Sequence, residues 1–109
     1  MDQNKIQEMQ LIEQSLQNLL MQKQAFQMEL SETRSALKEI NDSTEEVFKI
    51  VGQLMIKTEK SKIQKDLTDK EKFLDLRLKS LEKQEKSLSE QLEKIRDEFI
   101  KQSKTEKKQ

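Results

Sequence analysis

Glu45 to Thr58, EEVFKIVGQLMIKT, is the only stretch of this chain rich in β-branched residues and the only one holding a glycine, Gly52. On either side lie long polar arms with heptad spacing and no proline, which alone would describe an anonymous coiled coil. The insert changes that reading. Val47 to Val51 lead into Gly52-Gln53, and Leu54 to Thr58 lead out, so a β-hairpin is expected over residues 45–59, with glycine supplying the turn's unusual backbone angle. With period two, Phe48 and Ile50 share one face, as do Leu54, Ile56 and Thr58, while Lys49 and Lys57 turn to solvent. One hairpin is marginal in water and leaves sheet edges open. Several copies joined edge to edge satisfy the backbone and bury both apolar faces, so Val47, Phe48, Ile50, Gly52, Leu54, Met55 and Ile56 are the expected oligomerisation surface.

The arms yield to a heptad count. Starting at Met9, the a and d positions of the first arm are Met9, Ile12, Leu16, Leu19, Lys23, Phe26, Leu30, Thr33, Leu37 and Ile40, with only Lys23 and Thr33 breaking the seam. The second arm gives Leu67, Glu71, Leu74, Leu78, Leu81, Glu85, Leu88, Leu92, Ile95 and Phe99, with Glu71 and Glu85 as exceptions. Each arm is a helix with a narrow apolar seam that needs a partner, and each reaches roughly 50 to 60 Å. The expected layout is a first helix over 5–42, the hairpin over 45–59, a second helix over 61–101 and a basic tail over 102–109. Asn41, Asp42, Ser43 and Thr44 end the first helix without glycine or proline.

Matched arms around a reversing segment imply a mainly α fold, an antiparallel two-helix coiled coil with a central β-hairpin. Residue i then opposes a residue near 107 minus i, which pairs Ile40 with Leu67 and Ile12 with Ile95. Lys23 and Glu85 fall in the same or adjacent layers. Two readings stand for them: an opposed pair that fixes register because either charge alone would be desolvated, or two side chains that snorkel to water.

Composition limits the rest. A chain of 109 residues, 32% hydrophobic and 4% aromatic, cannot bury a large globular core. The polar N-terminus and the lack of a long apolar run predict neither signal peptide nor membrane span, so a soluble cytoplasmic protein is expected. Formal net charge is +0, but residues 1–42 carry four basic and seven acidic side chains, whereas Lys101, Lys104, Lys107 and Lys108 face only Glu106 near the C-terminus. No sustained basic stripe points to nucleic acid. Without histidine, cysteine, tyrosine or tryptophan, the usual general bases, thiol nucleophiles and soft metal ligands are missing, and Gly52 alone builds no phosphate loop. Enzyme activity, a metal and a cofactor are not expected. Charged residues such as Glu82 with Lys86 and Glu90 with Lys94 read as solvated helical pairs.

MQKQAFQMELSETRSALKEI (Met21 to Ile40), the hairpin EVFKIVGQLMIKT and LDLRLKSLEKQEKSLSEQLEKI (Leu74 to Ile95) together resemble the beta class of the prefoldin family, of the archaeal type. The resemblance spans nearly the whole chain in the right order, and the single hairpin fits the beta rather than the alpha class. It implies a chaperone without ATPase activity. In that family two alpha-type and four beta-type subunits join their hairpins into a β-barrel platform, forming a hexamer from which six coiled coils hang. Non-native proteins are held between the coiled-coil tips and passed to a group II chaperonin.

The resemblance places client contact at the end of the coiled coil away from the hairpin, and the sequence carries its own signs there. Ile6 and Leu20 occupy e positions, Leu11 a c position, and Met21 and Met28 f positions, where a plain coiled coil would present polar residues; Ile100 adjoins Phe99. Flexible aliphatic and methionine surfaces repack against varied partners. The candidate client-binding residues are Ile6, Met9, Leu11, Ile12, Leu20, Met21, Ile95, Phe99 and Ile100. The competing reading makes the off-seam ones scattered surface hydrophobes, or e residues that widen the seam. Phe73 and Leu76 are assigned to packing against the platform. Lys101, Lys104, Lys107 and Lys108 are either a solvated end or a dock for an acidic chaperonin surface. The alternative for the whole chain is a structural coiled-coil assembly subunit or spacer that holds no clients.

Overall fold

Two long helices flank a short antiparallel hairpin. The computed structural model describes residues 2–107, and side chains for residues 3–102: helix α1 (Asp2–Asp42), strands β1 (Val47–Val51) and β2 (Leu54–Thr58), and helix α2 (Lys60–Lys107). Both helices run further than expected, α1 from Asp2 and α2 through the stretch read as a basic tail. Those extensions hold polar residues compatible with helix and neither glycine nor proline, so nothing local stops the helix.

Every a and d position counted above is buried or half-buried, and most residues between them are exposed. The narrow seam follows from a 3.5-residue repeat on a 3.6-residue helix. The chain divides into two compact units, one holding residues up to Gln24 together with those from Lys79 onward, the other Ala25–Leu78.

In the first unit Ile12, Leu19 and Leu81 are buried. Lys5 pairs with Glu98 at 3.7 Å and Lys23 with Glu85 at 3.3 Å. In the second unit Leu30, Leu74 and Leu78 form a cluster with Phe26 packed against it, and the Arg77 guanidinium lies 5.5 Å from the Phe26 ring centroid. Thr33 is only 3% exposed, and its hydroxyl donates to the Glu29 carbonyl at 2.8 Å, which satisfies a polar group inside the seam. Glu71 accepts from Arg34 Nε at 3.3 Å. The pairs Lys5 with Glu98, Lys23 with Glu85, Arg34 with Glu71 and Asn41 with Gln64 follow the antiparallel rule of i against a residue near 107 minus i, whereas Lys70 reaches further along the helix to pair with Glu29 at 3.1 Å.

The end of α1 is held by α2. Lys60 Nζ donates to the Ser43 carbonyl at 2.8 Å and the Asn41 carbonyl at 3.4 Å, and Gln64 Nε2 donates to Asn41 Oδ1 at 2.7 Å. The last turn of α1 has no basic residue of its own. Lys60 supplies the positive charge that a helix C-terminus favours, from a place at the start of α2 where that charge would otherwise be unfavourable.

Candidate functional site

The hairpin and its neighbouring helix ends lie in the second unit. Val47 pairs with Thr58, Phe48 with Lys57, Lys49 with Ile56, Ile50 with Met55 and Val51 with Leu54. Gly52 has φ +61°, and among the described residues neither Gln53 nor any other non-glycine residue has a φ above zero. Those signs are of a type II′ turn, whose twist matches that of the strands. A Cβ at Gly52 would meet nothing within 4 Å, so the glycine is required by backbone conformation and not by space.

Directly opposed residues share a face, so the register resolves the composition of each side. Phe48, Ile50, Met55 and Lys57 form one face; Val47, Lys49, Val51, Leu54, Ile56 and Thr58 form the other. The two lysines therefore lie on opposite faces, one on each, and neither face is polar. Ile50 is 70% and Met55 69% exposed, and Phe48, Val51, Leu54 and Ile56 are exposed as well. Both strands are edges of the two-stranded sheet. Each apolar side chain moved from water into an interface would contribute about 1.5 to 3 kcal/mol if fully buried. At the hairpin's root Lys57 donates to Glu46 at 2.9 Å, an exposed pair of small energetic weight.

The candidate client-contact residues lie in the first unit and fall into two groups. Ile6, Leu11, Leu20, Met21 and Ile100 are exposed, Leu11 at 65% and Met21 at 66%. Ile12 is 8% exposed, and Met9, Ile95 and Phe99 are half-buried at seam positions. Seam residues hold the helices together and offer little surface to anything else. Leu20 borders a groove lined also by Glu13, Leu16, Gln17, Glu85 and Ser89, in keeping with an e position that extends the seam outward. Phe73 and Leu76, in the second unit, are 58% and 66% exposed.

Lys101 is exposed on α2. Lys104 and Lys107 belong to the helix but lie beyond the residues whose side chains are described, and Lys108 lies outside the described residues. Among the described residues no group of three His, Cys, Asp or Glu side chains is placed to hold a metal ion, and no helix is long and apolar enough to cross a membrane.

Sequence reasoning missed the Lys60 clamp on α1 and the Arg34 partner of Glu71. The second had a usable signal, since a seam carboxylate calls for a base within a turn of its antiparallel position. The first had none, because side chains that reach across a loop follow no period.

Residues 3–106 match the family described as prefoldin subunit. The chain is 42% identical over 85 residues to prefoldin subunit beta of Thermococcus onnurineus, covering 76% of this chain and 73% of that one. It is 35% identical over 95 residues to prefoldin subunit beta of Methanospirillum hungatei, covering 85% and 79%. Its fold is similar to the crystal structure of the prefoldin beta subunit from Thermococcus strain KS-1, with a TM-score of 0.84, 37% identity and coverage of 89% of this chain and 87% of the other.

Proposed function

The chain belongs to the prefoldin subunit family, a family of chaperone subunits, and from that premise we propose that it is a beta-type subunit of an ATP-independent holdase. Its hairpin joins those of neighbours into a β-barrel platform, in a hexamer of two alpha-type and four beta-type subunits. The assembly binds non-native polypeptides at its coiled-coil tips and hands them to a group II chaperonin in the cytoplasm. No catalytic chemistry is involved.

The observation that carries this reading is a hairpin with apolar side chains on both faces, exposed from Phe48 to Lys57, in a chain whose helices already satisfy their own seam. A hairpin that served only to reverse the chain would gain nothing from Phe48, Ile50, Leu54 and Met55 in water. Edge-to-edge joining gives these residues a dry environment and the strands their missing hydrogen bonds.

Client contact is assigned first to Ile6, Leu11, Leu20, Met21 and Ile100, because burial already commits Met9, Ile12, Ile95 and Phe99 to the helix pair. The seam residues contribute where the helices part. Lys101, Lys104, Lys107 and Lys108 are the proposed dock for an acidic chaperonin surface. The test is to mix the chain with an alpha-type subunit, measure the assembly's mass, and follow aggregation of a chemically unfolded protein by light scattering. A defined hexamer that suppresses scattering without ATP supports the reading; a hexamer that leaves aggregation unchanged makes the chain a structural assembly subunit.

A further inference from the structure

The outward side of α1 in the first unit is uncharged. From Gln3 to Gln24 every b, c and f position of the heptad is a glutamine or asparagine except Leu11 and Met21, and all of them are exposed. The charges in this stretch, Lys5, Glu8, Glu13 and Lys23, all sit at seam or seam-flanking positions. The outward side of α2 in the same unit is the reverse: Lys83, Lys86, Glu90, Glu93, Lys94 and Asp97 cover it with both signs. In a chain with 39% charged residues, a solvated helix face normally looks like that of α2.

An amide loses far less on leaving water than a charge does, and a glutamine both donates and accepts hydrogen bonds. Its natural complement is the backbone N–H and C=O of an extended polypeptide. Native proteins keep those groups paired internally, so only a non-native chain offers a run of them beside apolar side chains. Leu11 and Met21 supply apolar contact within the amide field, and Gln7, Gln10, Leu11 and Gln14 line a shallow depression on the helix surface. Because the face has no charge, a charged client side chain laid on it would be desolvated without a partner.

We propose that the uncharged outward face of α1, centred on Gln7, Gln10, Leu11, Gln14, Gln17 and Met21, binds uncharged, backbone-exposed segments of non-native polypeptide, while the charged face of α2 stays in water. The assignment rests on the holding function proposed above. It makes backbone exposure and absence of charge the recognised property, and makes binding insensitive to salt.

The test uses the full chain in its assembled form and an end-blocked, unstructured peptide of glycine, serine, asparagine and leucine carrying a neutral fluorophore, read by anisotropy. Gln7→Glu/Gln14→Glu/Gln17→Glu and the matching triple lysine variant should each weaken binding about tenfold, because either sign of charge is desolvated. Lys83→Glu with Glu90→Lys should bind as the unaltered chain does. Affinity should stay constant between about 0.05 and 0.5 M salt. Circular dichroism establishes that helicity is retained, and light scattering with a chemically unfolded protein measures holding separately. Triple variants that keep helicity and bind the peptide normally overturn the assignment and leave the holding function standing. Triple variants that lower the assembly's mass mark the face as a contact between copies and also overturn it. An unaltered chain that neither binds the peptide nor suppresses scattering removes the holding function itself.

Discussion

Lys23 and Glu85 meet at 3.3 Å from seam positions on opposite helices, with side chains 21% and 32% exposed. Of the two readings open for these residues, the structure shows the opposed pair. We propose that the pair acts as a register device, because an antiparallel shift by one layer would place each charge against an apolar residue of the other helix. Desolvation limits what such a pair adds to stability, so on this proposal its main effect is to penalise the wrong alignment.

Replacing one partner should therefore cost more than replacing both. Lys23→Leu or Glu85→Leu alone is expected to destabilise the chain by about 1 to 3 kcal/mol, and the double variant to recover most of that loss. Thermal melting of the four species checks it. Additive single effects would mean that each side chain interacts with water alone.

Gly52 should be the most sensitive position of the hairpin backbone. With φ +61° and open space where a Cβ would lie, Gly52→Ala meets conformational strain and no clash. The expected cost is about 1 to 2 kcal/mol of hairpin stability, with assembly shifted to higher protein concentration. Sedimentation across a concentration series measures the shift.

The faces of the hairpin offer a sharper test of assembly. Ile50 and Met55 are directly opposed, and both are exposed in the single chain. Ile50→Lys with Met55→Lys removes nothing from the chain's own core, so helicity should persist while the hexamer is lost. Native mass spectrometry reads the result.

Polar replacement of Leu11, Leu20, Met21 and Ile100 together should abolish suppression of client aggregation and spare the hexamer. All four are exposed, so each change should alter stability by no more than about 0.5 kcal/mol. Deleting residues 101–109 should weaken chaperonin binding and flatten its salt dependence together, as expected of an electrostatic dock.

The helix pair was legible in the sequence because a heptad states its own burial. Even Lys23, Glu71 and Glu85, which break the apolar pattern, proved half-buried, and Thr33 buried, at the positions the count assigned. The hairpin was legible because Gly52 stands alone between two β-rich runs. Its faces were only half legible. Period two groups residues along one strand, but the turn's register decides which groups join across strands, and that register placed Lys49 and Lys57 on opposite sides. The first helix ends at Asp42 as expected, but the two helix ends away from the hairpin were misjudged, because Asn and Ser soften a helix without terminating it, and a run of lysines looks like a solvated tail whether or not it is helical. The proposed client face was read from single exposed hydrophobes such as Leu11 and Met21. The amide field around them carries no hydropathy signal and emerges only once the outward positions are compared between helices.

The most direct test of the central claim is light scattering from a chemically unfolded protein diluted into the chain assembled with an alpha-type prefoldin subunit, without ATP. Suppression of scattering by the assembly is the predicted result. Full aggregation in the presence of an intact hexamer would contradict it.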